Sequence, residues 1–167
     1  MLSTPQNSPD ADALRARVVA LRARIEAAAV AAHRDPATVT LLAVSKGHSA
    51  DSVRHAMELG LTQFGENYLD EALPKIETLA RHAPPPVWHF IGRPQANKTR
   101  PVAAHFDWVH GIDRLRIAER LSAQRGHFQP PLQVCVQVNV AGEDTKGGVS
   151  PDACLSLLRE VAALPRL

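Results

Sequence analysis

Apolar residues near the start of the chain repeat with the period of a helix. They fall on one stripe: Leu14, Val18, Leu21 and Ile25. The arginines of this segment lie off the stripe, which is typical of a helix with one solvated face. Ser8 suits the N-cap position and Pro9 the first turn. We therefore predict a polar tail over residues 1–9 that leads into an amphipathic helix.

From residue 39 onward, short apolar runs alternate with helical patterns. The predicted strands cover residues 39–45, 62–65, 87–92, 106–112 and 132–140. The first run is so uniformly apolar that it predicts a strand buried on both faces. We expect Pro74 to kink or start one of the intervening helices and Pro101 to break another. Five strand–helix units in a row require parallel strands with helical crossovers, so the predicted class is α/β.

The fifth predicted strand alternates most regularly. One face is apolar, with Leu132, Val134, Val136, Val138 and Val140; the other carries Gln133, Cys135, Gln137 and Asn139. Two architectures are compatible with the element order. One is an open doubly wound sheet, and the other is part of a TIM-type (β/α)8 barrel, whose complete form has about 250 residues. The polar face favours the barrel, with a ligand in its lumen.

Composition excludes several classes of protein. The 167 residues carry a formal charge of +2 and no apolar run long enough to cross a bilayer, so we expect neither a nucleic-acid nor a membrane partner. The first ten residues lack the features of a secretory signal. The two cysteines, Cys135 and Cys154, form no CxxC pair. These observations favour a cytoplasmic protein with a single domain over residues 1–167.

Candidate chemistry lies where the predicted strands end, because ligands of parallel α/β folds bind at the carboxyl ends of the strands. Most of these ends are ordinary polar loop residues. Lys46 differs, because it directly follows a buried apolar run and precedes Gly47. Partial desolvation would favour its neutral amine, which can form a Schiff base with an aldehyde.

Other motifs are weak. The eight histidines include no HExxH spacing, so we predict no metal site. Residues 92–98, GRPQANK, lack the glycine pattern of a phosphate-binding loop. No partner base can be assigned to Cys135, so we predict that it is a packed lumen residue rather than a nucleophile. His89 either faces the lumen or is a hydrogen-bonded core histidine.

Five sequence blocks together resemble the pyridoxal phosphate homeostasis protein family. The blocks are AVSK at 43–46, FGENY at 64–68, WHFIG with QANK at 88–98, HFDWVHGIDR at 105–114, and QVNVAGEDTKGG at 137–148. Members of this family are single-domain relatives of the alanine racemase barrel. The resemblance implies a cytoplasmic, non-catalytic protein that binds pyridoxal 5′-phosphate and buffers or delivers it, with apo forms of pyridoxal phosphate enzymes as partners.

The resemblance also implies roles for individual residues. Lys46 matches the cofactor lysine that forms the Schiff base, and Asn67 matches a residue beside the cofactor. Asn139 and Lys146 match the strand-five segment of the family, where the lysine influences cofactor exchange. His89 is a further lumen candidate for cofactor binding. No catalytic residue is implied.

Two departures from the family pattern matter. The family has a second lysine two positions after the first, where this chain has His48. Relatives also continue for three more strands, which supply the phosphate contacts and an arginine near the pyridine nitrogen. We therefore expect a partial barrel of five strands without those last three. Two alternatives stay open: a racemase-type enzyme, and a fragment that does not retain the cofactor.

Overall fold

The computed structural model describes residues 9–143 and 145–167. Its six α-helices are α1 Pro9–Ala31, α2 Ala50–Glu58, α3 Leu69–Leu79, α4 Thr99–His105, α5 Leu115–Gln124 and α6 Pro151–Ala162. Its five strands are β1 Leu42–Val44, β2 Gln63–Glu66, β3 Val87–Phe90, β4 Trp108–Ile112 and β5 Gln133–Val136. Short 3₁₀ helices cover Pro36–Thr38 and Ala96–Lys98. Within these described ranges, no helix is long and apolar enough to span a membrane.

The strands form one parallel sheet in the order β1-β2-β3-β4-β5. A doubly wound sheet would reverse direction from its first strand, whereas here each new strand is added on the same side. The partial barrel predicted from the sequence is therefore confirmed. Within the described residues, β1 and β5 are the two edges of the sheet.

Register divides the strand residues between two faces. Phe64 pairs with Trp88, while the next position pairs Gly65 with His89 and His89 with Trp108. The first row packs against helices and belongs to the main apolar core, together with buried residues of α4 and α5. We call the opposite face, which carries His89 and Trp108, the inner face.

Helix starts follow the expected capping chemistry. Ser49 Oγ accepts a hydrogen bond from Ser52 N, and Ser150 Oγ accepts one from Ala153 N, so α2 and α6 have serine N-caps. Pro151 occupies the first turn of α6. Ser8, the predicted cap of α1, lies outside the described residues, as does nearly all of the predicted tail. Helix α1 is described from Pro9 onward.

Three local predictions are wrong. The first strand is not buried on both faces: β1 is a short edge strand, and Val44 is 49% exposed. Of the two alternatives for Pro74, a helix start is wrong, because α3 begins at Leu69 and continues through Pro74. Pro101 does not break its helix, because it lies in the first turn of α4, where backbone N–H groups lack intrahelical partners anyway.

The fifth strand is also shorter than its alternating pattern predicts. Regular pairing ends at Val136, and beyond it Val138 forms only an isolated bridge with Val149. The chain bends there because the loop after β5 folds back onto the strand: Val149 N donates to Gln137 O. The pattern of alternation thus extends past the part that is hydrogen-bonded as a strand.

Candidate functional site

The carboxyl ends of β1 and β2 bring two of the predicted site residues to neighbouring positions. Val44 pairs with Gly65, and the ladder continues through a hydrogen bond from Ser45 N to Gly65 O. Lys46 and Asn67 follow two residues after the paired positions. Lys46 lies in the turn after β1 and Asn67 in the bend after β2, so the two residues follow neighbouring strand ends.

The predicted shelter of Lys46 is wrong for this chain. Lys46 is exposed, as are its neighbours Gly47 and His48. The physical reason is the position of β1 at the edge of the sheet, where Val44 on the same strand is itself half exposed. The apolar run before a lysine therefore does not by itself desolvate the amine.

A buried polar cluster lies directly beneath the end of β1. Lys75 Nζ, from α3, is 2.8 Å from Glu66 Oε1 and donates to Ser45 O at 2.9 Å. Ser45 Oγ donates to the same Glu66 oxygen at 2.7 Å. On the other side of Lys46, Gly47 N donates to Glu71 Oε2 at 2.9 Å. The backbone on both sides of Lys46 is thus held by α3 and β2.

Sequence reasoning missed this cluster. Lys75 and Glu71 look like ordinary polar residues of an amphipathic helix, and Glu66 looks like a strand-ending loop residue. The available signal was the position of Glu66, which is a carboxylate directly after the apolar strand residues Phe64 and Gly65. A charge at such a position needs a partner, because an unpaired buried carboxylate is very costly.

The backbone of Asn67 lies very close to that of Gly92. A Cβ added to Gly92 would lie 2.5 Å from Asn67 O, so the ends of β2 and β3 approach each other too closely for any side chain at Gly92. Asn67 Oδ1 is buried, and the described residues offer it no hydrogen-bond partner. Unpaired buried acceptors are uncommon in folded proteins and often mark functional positions.

His89 lies on the inner face and is 6% exposed. Its Nε2 is 2.7 Å from Gln63 Oε1, its Nδ1 is 2.9 Å from His110 Nε2, and its ring stacks on Trp108 at 5.5 Å. Burial, and secondarily the neighbouring His110, lowers the pKa of His89 to about 4. Burial also lowers the pKa of His110. Both predicted features of His89 are present, since it faces inward and is fully hydrogen-bonded, which leaves neither ring nitrogen free for a ligand.

Asn139 and Lys146 lie together in the loop after β5. Asn139 Nδ2 donates to Glu143 O at 2.9 Å, and Lys146 Nζ is 2.9 Å from Glu143 Oε1. Lys146 is exposed, whereas Asn139 is half-buried. Among the described residues, no hydrogen bond joins this loop to Lys46 or Asn67. The contacts of Asn139 and Lys146 are thus with their own loop.

Two other sequence predictions concern thiols and metals. Cys135 is half-buried, and burial raises the pKa of its thiol, so the neutral form is favoured over a nucleophilic thiolate. Within residues 9–143 and 145–167, no group of three or more His, Cys, Asp or Glu side chains is arranged to hold a metal ion. The chemistry available at the carboxyl edge is therefore that of amines, amides and carboxylates.

Comparisons with known proteins agree on one family. The family model described as alanine racemase, N-terminal domain, matches residues 10–167. A pyridoxal phosphate homeostasis protein of Pseudomonas aeruginosa is 56% identical over 150 residues, which are 90% of this chain and 64% of that protein. The protein of the same name in Escherichia coli K12 is 47% identical over 88% of this chain and 63% of its own length. The chain thus spans less than two thirds of the length of these relatives.

Solved structures give the same result. PipY of Synechococcus elongatus PCC7942, solved with PLP bound, is 34% identical, with a TM-score of 0.70 over 85% of this chain and 65% of PipY. A histidine racemase from Leuconostoc mesenteroides shares the fold alone, at 17% identity, with a TM-score of 0.56 over 77% of this chain and 34% of that one. On the match over residues 10–167 and the shared fold, the chain belongs to the alanine racemase N-terminal domain family.

Proposed function

We propose that the chain binds pyridoxal 5′-phosphate through a Schiff base on Lys46 and serves vitamin B6 homeostasis inside the cell. The observation that carries this proposal is the position of Lys46, an exposed amine at the carboxyl end of β1 with the backbone anchored on both sides. The names of the relatives and the cofactor bound in PipY support it.

The residues on this edge of the sheet suit the aldehyde end of such a cofactor. Lys46 supplies the nitrogen, which joins the aldehyde carbon while the aldehyde oxygen leaves as water, so no oxidant or reductant is needed. Asn67 follows the end of the neighbouring strand β2, at the same edge of the sheet. We assign Asn139 and Lys146 a supporting role in cofactor binding and exchange. His89 contributes by ordering the inner face rather than by direct contact.

We further propose that the protein is a carrier rather than an enzyme, and that it supplies the cofactor to apo forms of pyridoxal phosphate enzymes. A racemase needs a second base on the far side of its substrate. The only tyrosine, Tyr68, is 60% exposed and lines a cleft of about 440 Å³ that also contains Phe90, Arg93 and Lys98. The same cleft is lined by Asn67, and the exposed Tyr68 ring has no hydrogen bond among the described residues that would hold it as a base. We expect no D-alanine from L-alanine with the loaded protein.

Lys46→Ala tests the binding proposal directly. The wild-type chain, mixed with pyridoxal 5′-phosphate and reduced with borohydride, should carry one stable adduct on the peptide containing Lys46, as measured by mass spectrometry. Lys46→Ala should lose this adduct and the associated absorbance band. Lys98→Ala is the matched control, because Lys98 is also an exposed lysine at the carboxyl edge. Equal labelling of both lysines, or no adduct at Lys46, would rule the proposal out.

Equilibrium dialysis separates binding from the remaining alternative, a chain that does not retain the cofactor. We expect saturable binding of pyridoxal 5′-phosphate at micromolar concentrations. Non-saturable uptake by the wild-type chain would favour the alternative.

A further inference from the structure

The ion pair between Glu66 and Lys75 is placed where stability alone does not explain it. Glu66 is 0% exposed and Lys75 is 7% exposed, so both charges are removed from water. The cost of desolvation commonly offsets the attraction within such a pair, and apolar residues of similar size often serve stability as well or better. A buried pair of this kind can instead specify a particular local geometry.

The geometry that this pair specifies is that of Ser45. Lys75 Nζ donates to the Ser45 carbonyl at 2.9 Å, and the Ser45 hydroxyl donates to Glu66 Oε1 at 2.7 Å. Ser45 is thereby fixed at its backbone and at its side chain, and it immediately precedes Lys46. Glu66, for its part, immediately precedes Asn67.

A second contact fixes the residue after Lys46. Gly47 has φ +73°, a left-handed conformation that glycine adopts without strain. Its N–H donates to Glu71 Oε2 at 2.9 Å. Glu71 and Lys75 are four residues apart on α3, so one face of this helix holds both neighbours of Lys46.

We propose that Ser45, Glu66, Glu71 and Lys75 form a clamp that positions Lys46 for condensation with an aldehyde. This inference rests on the proposed function and names the residues that prepare its amine. The four rotatable bonds of an exposed lysine leave the amine mobile, so the direction of the Cα–Cβ bond is what the fold can set. The clamp sets that direction by immobilising the backbone on both sides, which raises the fraction of time that the amine occupies one position at the carboxyl edge of the sheet.

Ser45→Ala and Glu71→Ala remove one contact each and leave the buried charges paired. We expect each variant to form the borohydride-trapped adduct at Lys46 about fivefold more slowly, the effect of one lost hydrogen bond. Glu71→Gln retains an oxygen acceptor and should restore most of the rate. Ser122→Ala is the matched control, because Ser122 and Ser45 are both 5% exposed and Ser122 lies on α5, hydrogen-bonded to Arg166 N.

Amide hydrogen exchange at Gly47 provides a readout that needs no cofactor. In the wild-type chain this amide should be protected, and Ser45→Ala should accelerate its exchange although the hydrogen bond to Glu71 is untouched. Urea unfolding of each variant reports any general loss of stability. The clamp would be overturned if the labelling rate at Lys46 fell in proportion to the loss of unfolding free energy in every variant, Ser122→Ala included. The cluster would then contribute only to general stability.

The outcomes distinguish the clamp from the function on which it rests. If the wild-type chain labels at Lys46 and the Ser45 and Glu71 variants label at the same rate, the clamp is wrong and the proposed function stands. If the wild-type chain does not label at Lys46, the proposed function is wrong, and the exchange of Gly47 decides whether the clamp exists. An unprotected Gly47 amide in the wild-type chain contradicts the clamp in either case.

Discussion

Polar groups are buried on both faces of the sheet, but the two faces differ in whether the buried groups carry charge. On the helix-facing side, Glu66 and Lys75 are buried as a pair of opposite charges that share a hydrogen-bonded serine. On the inner face, His89 is buried without a charge, because its lowered pKa keeps the ring neutral between Gln63 and His110. One cluster compensates a charge and the other avoids it.

This difference determines what each cluster can do. An ion pair that remains charged holds a fixed geometry, which suits the anchoring of the backbone at Lys46. A neutral histidine pair is sensitive to acid, because a proton added to either ring introduces a charge that the inner face does not compensate. The comparison therefore predicts a large mutational effect at the first cluster and a pH effect at the second.

The largest expected effect comes from Lys75→Met, which leaves the Glu66 carboxylate buried without its partner. We expect the free energy of unfolding in urea at neutral pH to fall by about 3–5 kcal/mol. The double variant Lys75→Met with Glu66→Gln should recover much of this loss, since the unpaired charge is removed. Asp51→Asn, which breaks an exposed ion pair with Arg54, serves as the control, with an expected cost below about 1 kcal/mol. If Lys75→Met were as stable as Asp51→Asn, the Glu66–Lys75 pair would not be buried as described.

We expect acid to destabilise the folded chain by protonating His89. Its pKa is lowered from 6.5 to about 4 in the folded chain, so the unfolded state binds the proton more readily. The stability that the neutral ring contributes is present above pH 6.5 and is lost as the pH falls from there toward 4, by up to about 3 kcal/mol at about 1.4 kcal/mol per pKa unit. Urea unfolding measured between pH 6.5 and pH 4 should show that the free energy of unfolding depends less on pH in His89→Gln than in the wild-type chain. The exposed His55→Gln variant should keep the wild-type pH dependence. An unchanged slope in His89→Gln would assign the acid sensitivity to other groups.

A smaller effect is expected from Gln63→Met. This change removes the acceptor of His89 Nε2 and leaves a buried ring nitrogen unsatisfied, at a cost of about 1–2 kcal/mol in unfolding free energy. The loss should be smaller than that of Lys75→Met, because a neutral group is left unpaired rather than a charge. NMR of the His89 ring should show the change of tautomer or partner. If Gln63→Met and Lys75→Met lost equal unfolding free energy, the proposed difference between the two faces would be wrong.

Local pattern was sufficient to predict most of the secondary structure. Each predicted strand and the helix after it exist, because period-2 and period-3.6 spacing report directly on which residues can face a core. The ends of elements were less predictable. The alternation through Val140 suggests a long fifth strand, yet pairing stops at Val136 where the following loop folds back. Hydrogen-bond partners from distant segments, rather than the strand's own residues, decide such an end.

The candidate site was predictable only in outline. The position of Lys46 after an apolar run is a local feature and correctly places the lysine at the end of β1. Its exposure depends on what lies beside β1, which local pattern does not contain. The Glu66–Lys75 pair and the His89–His110 pair join residues from different elements, so no spacing along the chain reveals them.

By itself, the sequence determined the alternation of strands and helices and the parallel class of the sheet, because these follow from the local periodicity of apolar side chains. Only the tertiary structure decided that β1 is an edge, that α3 holds the backbone on both sides of Lys46, and that burial lowers the pKa of the inner-face histidines. Those properties depend on which distant groups come within a few ångströms of each other, and burial and hydrogen bonding are set by that proximity.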